Sequence, residues 1–164
     1  MSAAAAPAWY AIIDGARDPR LHGLVTGCAS HLSLFKGKLD PELYAVSPWL
    51  VRIDEREALL STWQQHGRGE SWGIMLLSPL KIEQLQRHFR RFLQAKLPDG
   101  TIALFRFYDP RVFNTYFRAA LPEERAPWFE GVLQYGAEAA GGQGMYQYRL
   151  DEGGRLHDGT QIIG

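Results

Sequence analysis

The segment of residues 78–117, SPLKIEQLQRHFRRFLQAKLPDGTIALFRFYDPRVFNTYF, carries the strongest folding signals in the chain. Ser78 and Pro79 favour a helix start, because a serine hydroxyl can accept a hydrogen bond from a free backbone amide and proline has the φ of a first helical turn. Apolar side chains then recur at three- and four-residue steps, which places them on one face. We therefore predict an amphipathic helix whose buried face consists of Ile82, Leu85, Phe89 and Phe92.

The second half of this segment predicts a turn, a strand and another helix. Residues 98–100, Pro-Asp-Gly, have the composition of a tight turn. Residues 101–108 are apolar except for Arg106, which predicts a long strand covered on both faces. Asp109 can accept hydrogen bonds from the free amides of a following helix, and Pro110 suits its first turn. We therefore expect a second helix from Pro110 onward.

The rest of the chain alternates strand and helix patterns. This alternation predicts an α/β fold: a single domain over residues 8–150, with a mixed β-sheet flanked by helices. The Gly-rich polar residues 151–164 predict a loosely held tail. Further strands are expected at residues 9–14, 31–35, 43–53, 72–77, 132–135 and 145–150, and further helices after residue 18 and over residues 55–66.

Composition favours a cytoplasmic globular protein. Hydrophobic residues make up 46% of the 164 residues, enough for a packed core, and no apolar run is long enough to span a bilayer. Residues 1–7 lack the basic and apolar regions of a signal peptide. The single cysteine, Cys28, cannot form an internal disulfide, as is usual in a reducing compartment.

One motif leaves a hydrolase open as an alternative. Residues 69–73, Gly-Glu-Ser-Trp-Gly, match the G-x-S-x-G pattern in which a serine acts as nucleophile, and His88 is the best available base for Ser71. A nucleophile elbow needs a strand before the serine and a helix after it, whereas the patterns here predict the reverse order. We therefore expect no serine hydrolase. The sequence also lacks a dinucleotide-binding fingerprint and a P-loop, so we expect no cofactor and no small-molecule substrate.

A second alternative is weak nucleic-acid binding. Residues 81–120 hold eight basic and three acidic residues, whereas residues 121–164 hold three basic and seven acidic ones. The net charge of the chain is zero, which is unfavourable for following a phosphate backbone, so we expect no nucleic-acid partner. The five histidines lack the spacing of a zinc site, and we expect no metal.

Arg106 points to a polar network. A guanidinium in an otherwise apolar strand needs a carboxylate, because an unpaired buried charge costs several kcal/mol. Asp14 and Asp109 each end a predicted strand and are the candidates. We predict a polar network at one edge of the sheet, with His88 within reach of it. Its members are Asp14, Arg17, Arg106, Asp109 and Arg111.

Several blocks of sequence occur in an order that resembles a known family. They are YAIIDGAR at residues 10–17, SPWLV at 47–51, WGI at 72–74, RHFRRF at 87–92 and FRFYDPRV at 105–112. Over residues 9–129 the chain resembles the effector-chaperone, or adaptor, family of the bacterial type VI secretion system, first catalogued as a domain of unknown function. Each block is weak alone, but the combination is specific.

The resemblance implies a protein without catalytic activity. Such adaptors bind a toxic effector in the cytoplasm and help to load it onto the spike protein of the secretion apparatus. A further C-terminal lobe of many members is lacking here or shortened to about 35 residues, and His-Phe-Arg stands where the family pattern has His-Leu-Arg. The positions that match the family's motif are Asp14, Arg17, Trp72, His88, Arg90, Arg106, Asp109, Pro110 and Arg111.

An adaptor needs apolar surface for its client. Aromatic residues concentrate between residues 108 and 129, near the change from basic to acidic composition. Aromatic side chains at helical spacing usually face inward, so most should be core and an exposed minority should form the client surface. The candidates for that surface are Trp72, Tyr108, Phe113, Tyr116, Trp128 and Phe129.

Overall fold

A seven-stranded antiparallel sheet is the centre of the computed structural model, which describes residues 5–162. Its strand order is β2-β3-β1-β4-β7-β8-β9, and β5 and β6 form a separate hairpin. The strands are β1 Ala8–Asp14, β2 His31–Ser33, β3 Pro48–Arg52, β4 Gly73–Ser78, β5 Gln94–Lys96, β6 Ile102–Leu104, β7 Gln134–Glu138, β8 Gly144–Leu150 and β9 Leu156–Ile162.

Helices cover both faces of this sheet, and the predicted single α/β domain with flanking helices is confirmed. Every strand pairing in the described residues is antiparallel, whereas the sequence predicted a mixed sheet. A π-helical turn follows α3, and short 3-10 turns follow α6 and β7. The helices are α1 Arg20–Thr26, α2 Pro41–Ala45, α3 Ala58–Thr62, α4 Ile82–Arg90, α5 Pro110–Ala119 and α6 Pro122–Arg125.

The interior strand β1, which pairs with β3 and β4, separates two parts of the core. Tyr10 and Ile12 face the side packed by α4 and α5, whereas Ala11 and Ile13 face the side packed by α1 and α3. Because both faces are covered, β1 is apolar without alternation. The sheet therefore brings Asp14, at the end of β1, to a position where both layers meet.

The prediction of a long buried strand over residues 101–108 is wrong. Only Ile102–Leu104 is strand, it pairs with β5 outside the main sheet, and the side chain of Ile102 is largely exposed. Phe107 and Tyr108 are buried, but they lie in a turn that precedes α5. The apolar run therefore combines an exposed hairpin with a core-filling turn, which a pattern of hydrophobicity does not distinguish.

The predicted start of α4 is also wrong. Ser78 is the last residue of β4, and its hydroxyl donates to the carbonyl of Gly131 and accepts from the amide of Leu80. Helix α4 begins only after Lys81, whose amide donates to the side chain of Gln84. The serine hydroxyl thus caps the turn after a strand.

The C-terminal segment, for which composition predicts a loosely held tail, contains a further strand. Residues 156–162 form β9, which pairs with β8 in an antiparallel register that joins Leu150 to Leu156 and Gly144 to Ile162. The turn between them is closed by Asp151, whose side chain accepts hydrogen bonds from the amides of Gly153 and Arg155. Glycine and polar residues here build a hairpin turn.

Candidate functional site

The end of β1 carries a buried carboxylate that pairs with a distant arginine. Asp14 is 1% exposed, and its side chain pairs with Arg106 and accepts from the amide of Ala16. The side chain of Arg106 is 47% exposed, so its charge is at the surface and only its partner is buried. Partial burial lowers the pKa of Arg106, but the adjacent Asp14 outweighs it and the pKa lies above its usual value. The ion pair fixes the segment before α5 to the end of β1.

A second ion pair forms at the start of α5. Asp109 accepts from the backbone amide of Arg111 at 2.9 Å, and the same carboxylate binds Nε and NH2 of the Arg111 side chain at 3.1 and 2.7 Å. Burial alone would raise the pKa of Asp109. The hydrogen bonds from Arg111 and the charges of Arg111 and Arg17 lower the pKa by more than that, so it lies below its usual value. One carboxylate therefore both caps the helix and fixes an arginine.

The same arrangement occurs twice more on the surface. Asp18 binds the amide and guanidinium of Arg20, and Asp54 binds those of Arg56 in the same way. These hydrogen bonds lower the pKa of both carboxyl groups to about 2. An Asp-x-Arg sequence at the start of a turn is thus a local structural unit that needs no ligand.

Tyr108 lies close to both ion pairs, Asp14–Arg106 and Asp109–Arg111. Its ring is buried and the guanidinium carbon of Arg106 is 6.0 Å from the ring centre. Burial, reinforced by the charge of Asp14, raises the pKa of Tyr108 to about 12. The phenol therefore stays protonated at neutral pH.

Two other motif residues, Arg17 and Arg90, bind backbone carbonyls instead of a carboxylate. Arg17 donates to the backbone oxygen of Glu70 at 3.1 Å. The charge of Arg17 also helps to lower the pKa of Asp109. Arg90 donates to the carbonyls of Leu34 and Phe35, at 3.0 Å each. It therefore fixes α4 to the segment after β2.

His88 does not join the network. Its ring packs against Phe92 at 5.2 Å, and its Nδ1 lies 3.0 Å from NH2 of Arg91, which also pairs with Glu130. A guanidinium only donates, so Nδ1 accepts and the proton of the neutral ring is on Nε2. Burial, and then the charge of Arg91, lowers the pKa of His88. The histidine belongs to the contact between α4 and the segment before β7.

Ser71 lies in a pocket of about 460 Å³ between the start of α5 and the loops that precede β4 and β8. Arg17, Arg111 and Glu138 also line it, and no histidine is among its lining residues in the described part of the chain. A π-helical turn precedes Ser71 and β4 follows it, the reverse of a nucleophile elbow. Ser71 has φ of 57°, the only non-glycine positive φ within residues 5–162.

The single cysteine, Cys28, is poorly suited to nucleophilic catalysis. The thiol of Cys28 is buried and donates to the carbonyl of Leu24 at 3.3 Å. Burial and the nearby acidic residues Glu57 and Asp54 raise its pKa to about 11, so the reactive thiolate is scarce at neutral pH. Among the described residues, no group of histidine, cysteine and acidic side chains is arranged to hold a metal ion.

Four of the six aromatic residues assigned to a partner surface lie in the core. Trp72, Tyr108, Phe113 and Trp128 are at most 2% exposed, whereas Tyr116 and Phe129 are half-buried. Trp128 stacks on Phe92, just after α4, with ring centres 4.0 Å apart, and it packs edge-on against Phe117 of α5 at 5.7 Å, so it connects the end of α4 to α5. The large exposed apolar side chains are instead Trp9, Leu43, Tyr44, Val46, Leu97, Ile102, Leu104, Leu121 and Leu133.

The sequence signal for one group of these exposed residues was present but misread. Ile102 and Leu104 are two residues apart in a strand, so they share a face of the β5–β6 hairpin. The turn at residues 98–100 correctly predicted the hairpin, but its apolar face was assigned to the interior.

The chain belongs to the family described as domain of unknown function DUF4123, whose model matches residues 9–127. The match covers β1 to α6, including both ion pairs. Strands β7, β8 and β9 lie outside it. No curated protein and no solved structure gave a significant match. Within residues 5–162, none of the helices combines the length and the apolar composition that crossing a membrane requires.

Proposed function

We propose that this protein is a cytoplasmic chaperone, or adaptor, of a type VI secretion system that binds a toxic effector and helps to load it onto the spike protein. The observation that carries this proposal is the DUF4123 match over residues 9–127, since this is the family in which the adaptor role is expected. The contacts described above support a scaffold that presents surface to another polypeptide.

The charged motif residues bind other groups of the protein itself, which supports a structural role for them. Asp14 and Asp109 each have an arginine partner, and Arg90 binds backbone carbonyls. The pair of Asp14 and Arg106 fixes the end of β1 to the segment before α5, and Arg90 fixes α4 to the segment after β2. Recognition of a client is then left to exposed apolar and polar side chains, as in most protein interfaces.

The absence of catalysis is part of the same proposal. The pocket of Ser71 has no histidine among its described lining residues, and the pKa of Cys28 disfavours a thiolate. A fluorophosphonate probe tests this directly. We expect no covalent labelling of the protein, and labelling that disappears in Ser71→Ala would contradict the proposal in favour of a serine hydrolase.

Co-expression tests the adaptor role itself. We expect the effector encoded beside this chain's gene to become more soluble and to co-purify with the protein, and the complex to bind the spike protein in a pull-down. A matched expression of the effector alone is the control. Failure to co-purify with any effector or spike protein encoded nearby would overturn the proposal.

A further inference from the structure

The β5–β6 hairpin exposes an apolar face that the fold itself does not use. Ile102 is 67% exposed, Leu104 is 49% exposed and Leu97, beside the turn, is 44% exposed. The hairpin register places Leu104 opposite Gln94 and Ile102 opposite Lys96, so these four side chains share the outward face. We call Leu97, Ile102 and Leu104, with the groove described next, the hairpin surface.

The groove lies where this hairpin meets the segment after β2. It has a volume of about 270 Å³ and is closed on one side by Leu104. Its floor is apolar because Leu34 and Leu93 are buried there, and Phe35 adds a half-buried ring. The groove therefore continues the exposed apolar face toward the domain core.

The inward face and the base of the β5–β6 hairpin attach it to the rest of the domain. Ala95 and Ala103 pair on the inward face. At the base of the hairpin, Leu93 is buried in the core and Phe105 packs against the core, and the amide of Phe105 donates to the carbonyl of Leu93. An isolated two-stranded hairpin is only marginally stable, so these inward contacts are what holds it. The outward side chains add little to the core, and polar residues would serve the fold equally well at Ile102 and Leu104.

The charges around this surface are of one sign. Lys36 and Arg90 line the groove, and Lys96 lies on the outward face of the hairpin. In the described part of the chain the groove has no acidic lining residue. Basic side chains that border an apolar surface favour a partner with carboxylates beside its apolar residues, and they speed its association.

We propose that the hairpin surface docks a segment of the client polypeptide that carries apolar side chains flanked by acidic ones. This inference rests on the proposed adaptor function and names the surface through which that function operates. Exposed contiguous apolar side chains commonly mark interaction sites, and a small number of side chains in such a site provides most of the binding energy. Arg90 has a structural task here, because it binds the carbonyls of Leu34 and Phe35 and so shapes the groove.

The test uses the full chain and, as the probe, the effector encoded beside its gene. The double variant Ile102→Glu/Leu104→Glu is compared with Leu133→Glu, because Leu133 is 50% exposed outside this surface. All three side chains are exposed, so the variants should fold, which circular dichroism and thermal unfolding verify. We expect the double variant to bind at least about 30-fold more weakly and Leu133→Glu to bind within about 2-fold of the unchanged protein.

A second arm tests the charge of the partner. Lys36→Glu/Lys96→Glu should weaken binding by about 3-fold or more and reduce its dependence on salt. Equal or tighter binding by this variant would overturn the acidic character assigned to the client segment. Lys81→Glu, at an exposed lysine away from the groove, is the matched control.

The outcomes separate this inference from the adaptor proposal. If the unchanged protein binds the effector and the double variant binds equally well, the docking surface is wrong and the adaptor function stands. If the unchanged protein binds no effector, the adaptor function itself is overturned, and the docking inference with it. A homodimer that dissociates in Ile102→Glu/Leu104→Glu would assign the surface to a second copy of the chain and overturn the inference.

Discussion

Asp14 shows at the scale of one residue why the charges of this protein act on its stability. Its carboxylate is almost completely buried, whereas its partner Arg106 reaches solvent. Such a pair contributes little compared with an apolar pair, but the loss of one partner leaves a charge without compensation. The two residues are 92 positions apart in the sequence, so loss of this ion pair destabilises a tertiary contact and not a local turn.

We expect Arg106→Met to destabilise the protein. Removal of one partner of a buried ion pair costs about 3–5 kcal/mol, and the exposure of Arg106 reduces our expectation to about 2 kcal/mol. The double variant Asp14→Asn/Arg106→Met should be more stable than Arg106→Met, because it removes the unpaired charge. Urea denaturation of the four proteins in this cycle measures the coupling, and purely additive changes would contradict the role assigned to the pair.

His88 should make stability depend on pH. Its folded pKa lies below its usual value, because burial and the charge of Arg91 disfavour the imidazolium, with Glu130 acting in the opposite direction. The unfolded chain therefore takes up a proton near pH 6.5 that the folded protein does not. Stability is retained above that pH and falls as the pH decreases toward the folded pKa, with a slope of at most about 1.4 kcal/mol per pH unit.

His88→Gln tests this, because glutamine can still accept from Arg91. We expect its free energy of unfolding to change less between about pH 7 and pH 5 than that of the unchanged protein. Urea titrations across this range measure both slopes. Identical slopes would show that His88 is not the group responsible.

At the scale of elements, the Asp-x-Arg unit appears in a buried and in two exposed settings. Asp109 caps the ten-residue α5 and is buried, whereas Asp18 precedes the short α1 and Asp54 lies in a loop. The hydrogen bonds are nearly the same in all three. Their contribution to stability should differ, because only Asp109 would leave unsatisfied amides away from water.

Asp109→Ala should therefore destabilise the fold by about 1–2 kcal/mol, through loss of a helix cap and of its hydrogen bonds. Asp109→Asn should lose less, because asparagine also caps helices. Asp18→Ala is the matched control at the other Asp-Pro-Arg sequence, and its effect should be smaller. Thermal unfolding of the three variants ranks them, and a larger loss in Asp18→Ala would contradict the assignment.

The pairing of β1 with β4 depends on a close approach at Gly73. A Cβ added there would lie 2.2 Å from the carbonyl oxygen of Ile12. We expect Gly73→Ala to destabilise the protein by about 1–3 kcal/mol, because the strands must separate. Gly23→Ala is the control, since a Cβ there meets nothing within 4 Å and alanine favours helix α1 by about 0.5–1 kcal/mol. Chemical denaturation should move the two midpoints in opposite directions.

At the scale of the whole molecule, charge balance predicts how the protein meets polyanions. The chain has zero net charge, and several arginines are engaged with carboxylates or carbonyls. We expect no measurable binding to mixed DNA or RNA at about 0.15 M salt, because such binding needs several free cations along a phosphate backbone. A fluorescence anisotropy titration checks this, and salt-sensitive micromolar binding would favour the nucleic-acid alternative.

The fold class and many elements could be predicted from sequence because local signals were strong. The face of α4, the cap of α5 at Asp109 and the turn at residues 98–100 are all found. The errors occurred where an apolar run had two possible environments. Ile102 and Leu104 look like core residues in sequence, and only their pairing with β5 outside the main sheet shows that they face solvent.

The amino-acid sequence by itself determined the α/β class, the cap of α5 at Asp109 and the need of Arg106 for a carboxylate, because these depend on residues close together in the chain. Tertiary structure alone decided that Arg106 meets Asp14, that His88 lies apart from them and which of the aromatic residues are internal. The physical reason is that burial and ion pairing depend on which distant elements pack together. Local patterns of hydrophobicity carry no information about that packing.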